Sequence, residues 1–136
     1  DVFNEPGSVV WNELQTRDIA ACLPFYEEMF GWRWEHTTMP GGTDYSVAHL
    51  DAKGSAAEGV DTSVAGAMPT PPGVPDEAPS SWGVYFAVAD LDDTIGRGTS
   101  GGASVVVEPM AMDGGRFAML ADPQGAMFYV MEMVSR

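Results

Sequence analysis

The closing stretch of the chain, residues 114–132, reads GGRFAMLADPQGAMFYVME and predicts a β-hairpin. Two apolar runs flank the tetrapeptide Asp122–Gly125. Its Asp can bond the backbone ahead, its Pro has a preset φ, and its Gly suits the last position of a type I turn. Alternation in the second run places Met127, Tyr129 and Met131 on one face of the strand. The chain therefore closes on a hairpin with large apolar side chains on one face.

A second motif lies near the start, where QTRD at residues 15–18 precedes FYEEMFGW at residues 25–32. A strand is predicted over Ser8–Gln15, and Asp18 is the candidate N-cap of the following helix, with Thr16 as the rival. The apolar spacing predicts a helix over Ile19–Phe30, which Gly31 would end. Pro24 lacks a backbone donor, so we expect a kink there or a helix that begins in earnest near residue 24.

Together, in this order and at this separation, the two motifs resemble the vicinal oxygen chelate superfamily, which contains glyoxalase I, bleomycin resistance proteins and extradiol dioxygenases. The resemblance covers residues 8 to 134 and is to the metal-free, glyoxalase-like branch. It implies an α+β fold in which two βαβββ modules form curved sheets around a cleft. It leaves the activity open, because one fold carries many functions.

The order strand, Asp, helix, Gly and three strands occurs twice along the chain. We predict a flexible lead-in over residues 1–7 and one domain over 8–134. Its first module spans about 8–68 and includes a small-residue loop at 51–61, a Pro-rich connector spans 69–81, and the second module spans 82–134. The second helix, Leu91–Ser100, follows Asp90 as the first follows Asp18. It is expected to be short, because its glycines lower helix propensity.

Composition excludes several classes of protein. The 136 residues suffice for one domain, and the hydrophobic fraction of 45% is not that of a disordered chain. No signal peptide and no apolar run of membrane-spanning length are visible, and the single Cys22 allows no intrachain disulfide. These features fit a cytoplasmic protein. The net charge of −14 predicts no nucleic-acid or anionic-membrane partner. It favours cationic ligands by steering, or it serves solubility alone.

Metal-using members of the superfamily bind a divalent ion with His, Gln or Glu from strands of both modules. Transferring those positions to this chain one at a time gives residues that cannot serve as ordinary ligands: Trp11, Gly66, Gly83 and Tyr129. A His49–Glu13 metal pair is the alternative, against a hydrogen-bonded histidine and a carboxylate at the rim. We therefore predict a cleft without metal or other cofactor.

The predicted ligand-binding residues share positions at or beside that cleft. They are Trp11, Glu13, Gln15, His49, Tyr85, Met127, Tyr129 and Met131. The aromatic and Met side chains among them would line an apolar cavity with two phenol hydroxyls, which suits a planar or aromatic ligand. Trp11 and Glu13 could attract a cationic group. Gln15 stands where glyoxalase enzymes keep a ligand-contacting Arg. For Trp11 and Tyr129, plain core packing is an equal alternative.

Three functional hypotheses follow. The first is a metal-free binding protein that sequesters an aromatic or cationic organic molecule, as bleomycin resistance proteins do. The second is a glyoxalase-like lyase, isomerase or hydroxylase-like enzyme that uses Tyr, Glu or His as acid or base; neutral phenols are poor bases near neutral pH, which counts against it. The third is a structural or regulatory module that binds nothing. In each case we expect a homodimer, or a longer chain that pairs two such domains.

Overall fold

The computed structural model describes residues 5–39, 42–50, 62–71, 74–112 and 114–133. Its elements are β1 Val9–Thr16, α1 Ile19–Phe30, β2 Arg33–Thr38, β3 Asp44–His49, β4 Ser63–Pro69, β5 Ser81–Ala87, α2 Leu91–Ser100, β6 Ser104–Met112, β7 Gly115–Ala121 and β8 Met127–Met133. The order βαβββ occurs twice, so the predicted α+β fold is confirmed. The predicted loop at 51–61 and residues 1–4 of the lead-in lie outside the described residues. Neither α1 nor α2 is long and apolar enough to cross a bilayer.

The chain folds into two compact units. The first unit is Asn12–Trp82, and the second unit is Gly83–Arg136 together with Asp1–Trp11. Strands of the first unit are ordered β2-β3-β4-β1. Those of the second unit are ordered β1-β5-β8-β7-β6, with only the first residues of β1 taking part. Strand β1 therefore contributes residues to both units.

Helix α1 begins and ends where the sequence predicts. A side-chain oxygen of Asp18 accepts a hydrogen bond from the backbone N–H of Ala21 at 3.1 Å, which satisfies one of the free donors of the first turn. Gly31 ends the helix at φ +73°, in the left-handed region that Gly adopts without a steric penalty. The rival cap, Thr16, instead accepts from the backbone N–H of Asp18. The helix extends across Pro24 over its full predicted length.

The core of the first unit lies between α1 and one face of its sheet. The buried side chains on that face are small apart from a leucine and a tryptophan: Leu14, Trp34, Ala48, Ala65 and Ala67. The indole N–H of Trp34 donates to the carbonyl of Leu23 at 3.0 Å, which ties the helix to β2. Since side chains alternate along a strand, Glu13 and Tyr45 lie on the opposite face of the sheet.

The connector between the two modules is held by one arginine. Arg17 donates from Nε to the carbonyl of Ala78 at 3.0 Å and from Nη2 to the carbonyl of Pro75 at 2.6 Å. Its backbone N–H donates to Oγ of Ser80. Because proline has no backbone N–H, a Pro-rich segment cannot form a regular sheet ladder. The guanidinium of Arg17 instead supplies hydrogen bonds to the backbone carbonyls of this segment.

Helix α2 covers all of its predicted range, although it contains Gly96 and Gly98. The predicted shortening of this helix does not occur, and its N-terminus is well capped. A carboxylate oxygen of Asp90 accepts from the backbone N–H of Asp93 at 2.9 Å. Oε1 of Glu132, on β8, accepts from the backbone N–H of Leu91 at 2.7 Å. Anionic acceptors at a helix N-terminus also interact favourably with its dipole.

The closing hairpin forms as predicted. The backbone N–H of Gly125 donates to the carbonyl of Asp122 at 2.9 Å, and the Asp122 carboxylate accepts from the backbone N–H groups of Gln124 and Ala126. This turn fixes the antiparallel register of β7 and β8, in which Phe117 lies opposite Met131. Val130 and Leu120 face α2, so Tyr129 and the methionines of β8 lie on the other face.

Candidate functional site

Two stacked tyrosines form the centre of the face of the second unit that points away from α2. Tyr85 and Tyr129 are paired residues of the parallel strands β5 and β8. Their ring centroids are 4.2 Å apart, with an interplanar angle of 8°. Both are buried, as is Met131 beside them. Parallel pairing places the two Cα atoms side by side, so the rings stack face to face in register and form a rigid apolar floor.

Half-buried apolar side chains surround this floor. They are Val10 and Trp11 from β1, and Phe117 and Met119 from β7. We call the set Trp11, Tyr85, Phe117, Met119, Tyr129 and Met131 the tyrosine face. Four of the predicted ligand-binding residues thus lie together, whereas Met127, at the start of β8, is 61% exposed at the end of the strand.

Phe117 and Met119 are not among the predicted ligand-binding residues, although the sequence contains a signal for them. They alternate along β7, and the Asp122–Gly125 turn fixes their register against β8. A hairpin turn recognised in sequence therefore predicts cross-strand neighbours as well as strands. Extending the alternation backwards through the turn would have added both residues to the predicted set.

The other predicted polar residues lie in the first unit. Glu13 is buried, and the side-chain amide of Gln15 donates to its Oε2 at 3.3 Å. Glu13 pairs with Gly66 across the parallel strands β1 and β4. A Cβ added at Gly66 would lie 2.5 Å from Cζ of Tyr45, so the Tyr45 ring packs directly over the Gly66 backbone. The phenol of Tyr45 therefore stands beside the residue that neighbours Glu13.

The two histidines are engaged within the first unit. Nδ1 of His49 is 2.9 Å from Oγ1 of Thr62, and its Nε2 is 3.2 Å from Oε1 of Glu35. Nδ1 of His36 is 2.9 Å from Oγ of Ser46. Because both ring nitrogens of His49 already have protein neighbours, its predicted contact with a ligand would have to replace one of them.

The residues at the four positions that the resemblance to metal-using members of the superfamily singles out do not fit a metal. Trp11 and Tyr129 are part of the apolar tyrosine face, and Gly66 and Gly83 carry no side chain. Within the described residues, no group of three or more His, Cys, Asp or Glu side chains is placed to hold an ion. Glu132, an acid close to one of these positions in sequence, caps α2 instead. Hard and borderline cations need several N, O or S donors, which these positions do not supply.

A cavity of about 380 Å³ lies on the α1 side of the first unit. Its lining includes Ile19 and Leu23 of α1 together with His36, Asp44 and Ser46 of β2 and β3. None of the eight predicted ligand-binding residues lines it. Glu13 and Gln15 do not line this cavity, whereas Tyr45, which packs over the Gly66 backbone, does.

Comparison with known proteins identifies relatives of the whole chain. The family model described as the Glyoxalase/Bleomycin resistance protein/Dioxygenase superfamily matches residues 8–130. CFP32 of Mycobacterium tuberculosis, provisionally named a glyoxylase, is 38% identical over 133 residues, which is 96% of this chain and 46% of that protein. The anthracycline biosynthesis protein DnrV of Streptomyces peucetius is 37% identical over 130 residues, 92% of this chain and 46% of that protein. The chain thus spans about half the length of these curated relatives.

Solved structures share the fold at low sequence identity. A variant of Streptomyces coelicolor methylmalonyl-CoA epimerase, in complex with 2-nitronate-propionyl-CoA, aligns with a TM-score of 0.64 and 12% identity over 96% of this chain and 100% of that one. Methylmalonyl-CoA epimerase from Mycobacterium tuberculosis aligns with a TM-score of 0.60 and 15% identity over 95% and 89% of the two chains. At this identity the likeness concerns the fold and not the reaction.

Proposed function

The chain belongs to the Glyoxalase/Bleomycin resistance protein/Dioxygenase superfamily, and from that premise we propose that it binds a planar aromatic organic molecule on the tyrosine face without the help of a metal ion. The single observation that carries this proposal is the stacked pair Tyr85–Tyr129 with its apolar surround. Binding by sequestration, as in bleomycin resistance proteins, is the proposed mode of action.

The tyrosine face has the chemistry that a planar ligand needs. Its floor is buried and ordered before any ligand binds, so little side-chain entropy is lost on association. Its half-buried members, Trp11 and Phe117, keep part of their side-chain surface exposed, which a flat ligand would cover. Each favourable ring pair contributes about 1 kcal/mol beyond the buried area. Covering these rings with a flat ligand therefore gives affinity and a preference for aromatic compounds.

Two further observations support the class of ligand. DnrV, a relative at 37% identity, is named for anthracycline biosynthesis. Anthracyclines are planar fused-ring compounds that carry an amino sugar. The net charge of −14 would steer a ligand with a protonated amine towards the protein. We therefore propose a fused-ring aromatic compound bearing an amine as the ligand class.

Titration with three compounds, followed by fluorescence or calorimetry, tests this proposal. Doxorubicin is planar and cationic, anthraquinone-2-sulfonate is planar and anionic, and spermidine is cationic without a ring. We expect affinity to fall in that order, and we expect a chelator to leave the binding of doxorubicin unchanged. Trp11→Ala should weaken doxorubicin binding at least tenfold, about 1.4 kcal/mol. Trp82→Ala, in the first unit, is the matched control and should retain wild-type affinity.

Several outcomes would contradict the proposal. Spermidine binding as tightly as doxorubicin would show that charge and not stacking provides the affinity. Equal affinity of the Trp11→Ala and wild-type proteins would make Trp11 a packing residue. A requirement for a divalent ion would revive the metal site that Trp11, Gly66, Gly83 and Tyr129 argue against. No binding of any probe would favour a structural or regulatory module.

A proton-transfer enzyme is the second candidate, and the burial of Glu13 favours it. Glu13 is only 6% exposed, accepts a hydrogen bond from Gln15 and pairs with Gly66, over which the Tyr45 phenol packs. A carboxylate in such a position can act as an acid or base. The test reaction is isomerisation of the hemithioacetal of methylglyoxal and glutathione to its thioester, in which a proton moves between adjacent carbons. Thioester formation that is abolished by Glu13→Gln would support this candidate, and no formation by the wild type would remove it.

A further inference from the structure

The cavity on the α1 side of the first unit is not part of any function considered above. It measures about 380 Å³, which lies within the range of about 300–1,000 Å³ that is usual for small-molecule pockets. Its walls come from the first two turns of α1, from the facing ends of β2 and β3, and from β4. Every lining residue belongs to the range Asn12–Trp82, so the cavity is complete within one compact unit.

Small side chains open this space between helix and sheet. Further along the same face, Trp34 fills the gap, and its indole N–H bonds to the carbonyl of Leu23. Near the start of α1, the sheet instead presents Ser46 opposite Ala67, which pair across β3 and β4. The helix presents Ala20 there. Because protein interiors are otherwise close-packed, these short side chains account for the space that remains at this end of α1.

The two ends of the cavity differ in chemistry. One end is apolar, with Ile19 and Leu23 of α1 against Ala67 of β4. At the other end, Asp44 and Ser46 lie on the same face of β3, because side chains alternate along a strand. A ligand that fills this cavity therefore needs an apolar body and one polar head.

The polar end offers acceptors to a cation. Ser46 pairs with His36 across β2 and β3, and its Oγ lies 2.9 Å from Nδ1 of the histidine. Either tautomer of the neutral ring leaves one acceptor free, which is Oγ of the serine or Nε2 of the histidine. The exposed carboxylate of Asp44 is not part of the ion pairs found among the described residues. No Lys or Arg is among the described residues that line the cavity.

We propose that this cavity binds a compact aliphatic molecule that carries a protonated amine. The apolar body packs between α1 and β4, and the ammonium group donates to Asp44 and to the free acceptor of the Ser46–His36 pair. The net charge of −14 steers such a cation towards the protein. A bulky aliphatic body has no flat ring to stack on the tyrosine face, so the two sites differ in the shape of the ligand that they accept.

The N-terminus of α1 makes an anion the rival ligand. Free backbone N–H groups and the helix dipole favour negative charge at this end of a helix. Here the Asp18 carboxylate already accepts from the backbone N–H of Ala21 at 3.1 Å. With Asp18 at the helix end and Asp44 on β3, a bound anion would face two carboxylates. An amine is therefore the ligand that the local charges favour.

Three adamantane derivatives of one shape test the charge of the ligand. They are 1-aminoadamantane, 1-adamantanol and adamantane-1-carboxylate, each titrated into the whole chain by calorimetry at physiological salt. We expect the amine to bind at least about fivefold tighter than the alcohol, and the carboxylate to bind most weakly. Asp44→Asn should reduce the affinity for the amine about fivefold and leave that for the alcohol unchanged. Glu28→Gln removes another exposed acid of the same unit, one that does not line the cavity, and should change neither affinity.

A pair of adjacent alanines tests the location of the site. Ala20 lines the cavity and Ala21 does not, although both are exposed residues of the first turn of α1. Ala20→Leu should fill part of the cavity and weaken binding of the amine at least about tenfold, because the apolar body loses its space. Ala21→Leu should retain wild-type affinity, because leucine is also a good helix former and this side chain lies outside the cavity. Circular dichroism checks that both variants are folded.

Four results would overturn the inference. Absence of binding by 1-aminoadamantane would remove the site. An amine that binds no more tightly than the alcohol or the carboxylate would remove the role of Asp44. Equal loss of affinity in Ala20→Leu and Ala21→Leu would trace the effect to the helix and not to the cavity. Loss of amine binding in Trp11→Ala would place the amine on the tyrosine face. Doxorubicin binding is measured with its own variants, so this inference and the proposed function can fail separately.

Discussion

A single glycine decides how the face of the first unit that carries Glu13 is filled. Gly66 lies near a position at which the resemblance to metal-using members of the superfamily predicts a ligand, and here Tyr45 packs over its backbone. Glycine is required for this close approach, because a Cβ would need the ring to move. The Tyr45 ring can therefore occupy its position only because residue 66 has no side chain.

Gly66→Ala should accordingly destabilise the protein through Tyr45. Overpacking of this kind costs about 1–3 kcal/mol, and we expect a loss in that range from urea unfolding. In a Tyr45→Ala background the same substitution should cost much less, since the ring is gone. An equal cost in both backgrounds would show that the strain arises from the backbone of β4 and not from Tyr45.

At the scale of elements, α2 shows how tertiary contacts rescue a weak helix. Its glycines lower the intrinsic propensity, yet it is helical from Leu91 to Ser100. The Asp90 cap and the Glu132 carboxylate satisfy two free backbone donors of the first turn. Arg116 lies 3.9 Å from the same Glu132 carboxylate and 3.2 Å from Asp92, so the strands and the helix N-terminus share one charge network.

Glu132→Ala should therefore destabilise the protein by about 2 kcal/mol, the contribution of a hydrogen bond to a charged acceptor. Arg97→Ala is the control: its ion pair with Asp93 is exposed at both ends and should contribute less than about 0.5 kcal/mol. Chemical denaturation measures both. If Arg97→Ala were the costlier change, α2 would depend on its own surface pairs more than on β8.

At the scale of the whole molecule, the charge imbalance should limit stability. The chain carries 20 acidic and 6 basic residues, so folding brings like charges together. Raising the salt concentration from low to physiological screens this repulsion, and we expect the Tm to rise by about 4 °C, equivalent to about 1 kcal/mol. Dilute protein is used for the measurement, so that association does not contribute. A Tm that falls with salt would indicate that attractive ion pairs dominate.

The fold was predictable because its signals are local. Asp18 and Gly31 bound α1, and the Asp122–Gly125 turn sets its hairpin, each within a few residues. The stack of Tyr85 on Tyr129 was only partly predictable. Alternation along each strand predicts which face each tyrosine lies on, but the stacking depends on how the distant parallel strands β5 and β8 pair. Tyr45 over Gly66 escaped prediction for the same reason. Contacts between residues far apart in sequence depend on strand register, which no local pattern specifies.

Strand β1 has a consequence for any attempt to take the protein apart. Its residues Val9–Trp11 belong with Gly83–Arg136, while Asn12 and its successors belong with the rest of the chain. The backbone of Gly7 and Ser8 bonds that of Ala87. Proteolysis at the Pro-rich connector would therefore yield a C-terminal fragment that lacks Val9–Trp11 of its unit. The N-terminal fragment would carry these residues without the strands that they pair with. Such fragments should regain structure by complementation when mixed, and not in isolation.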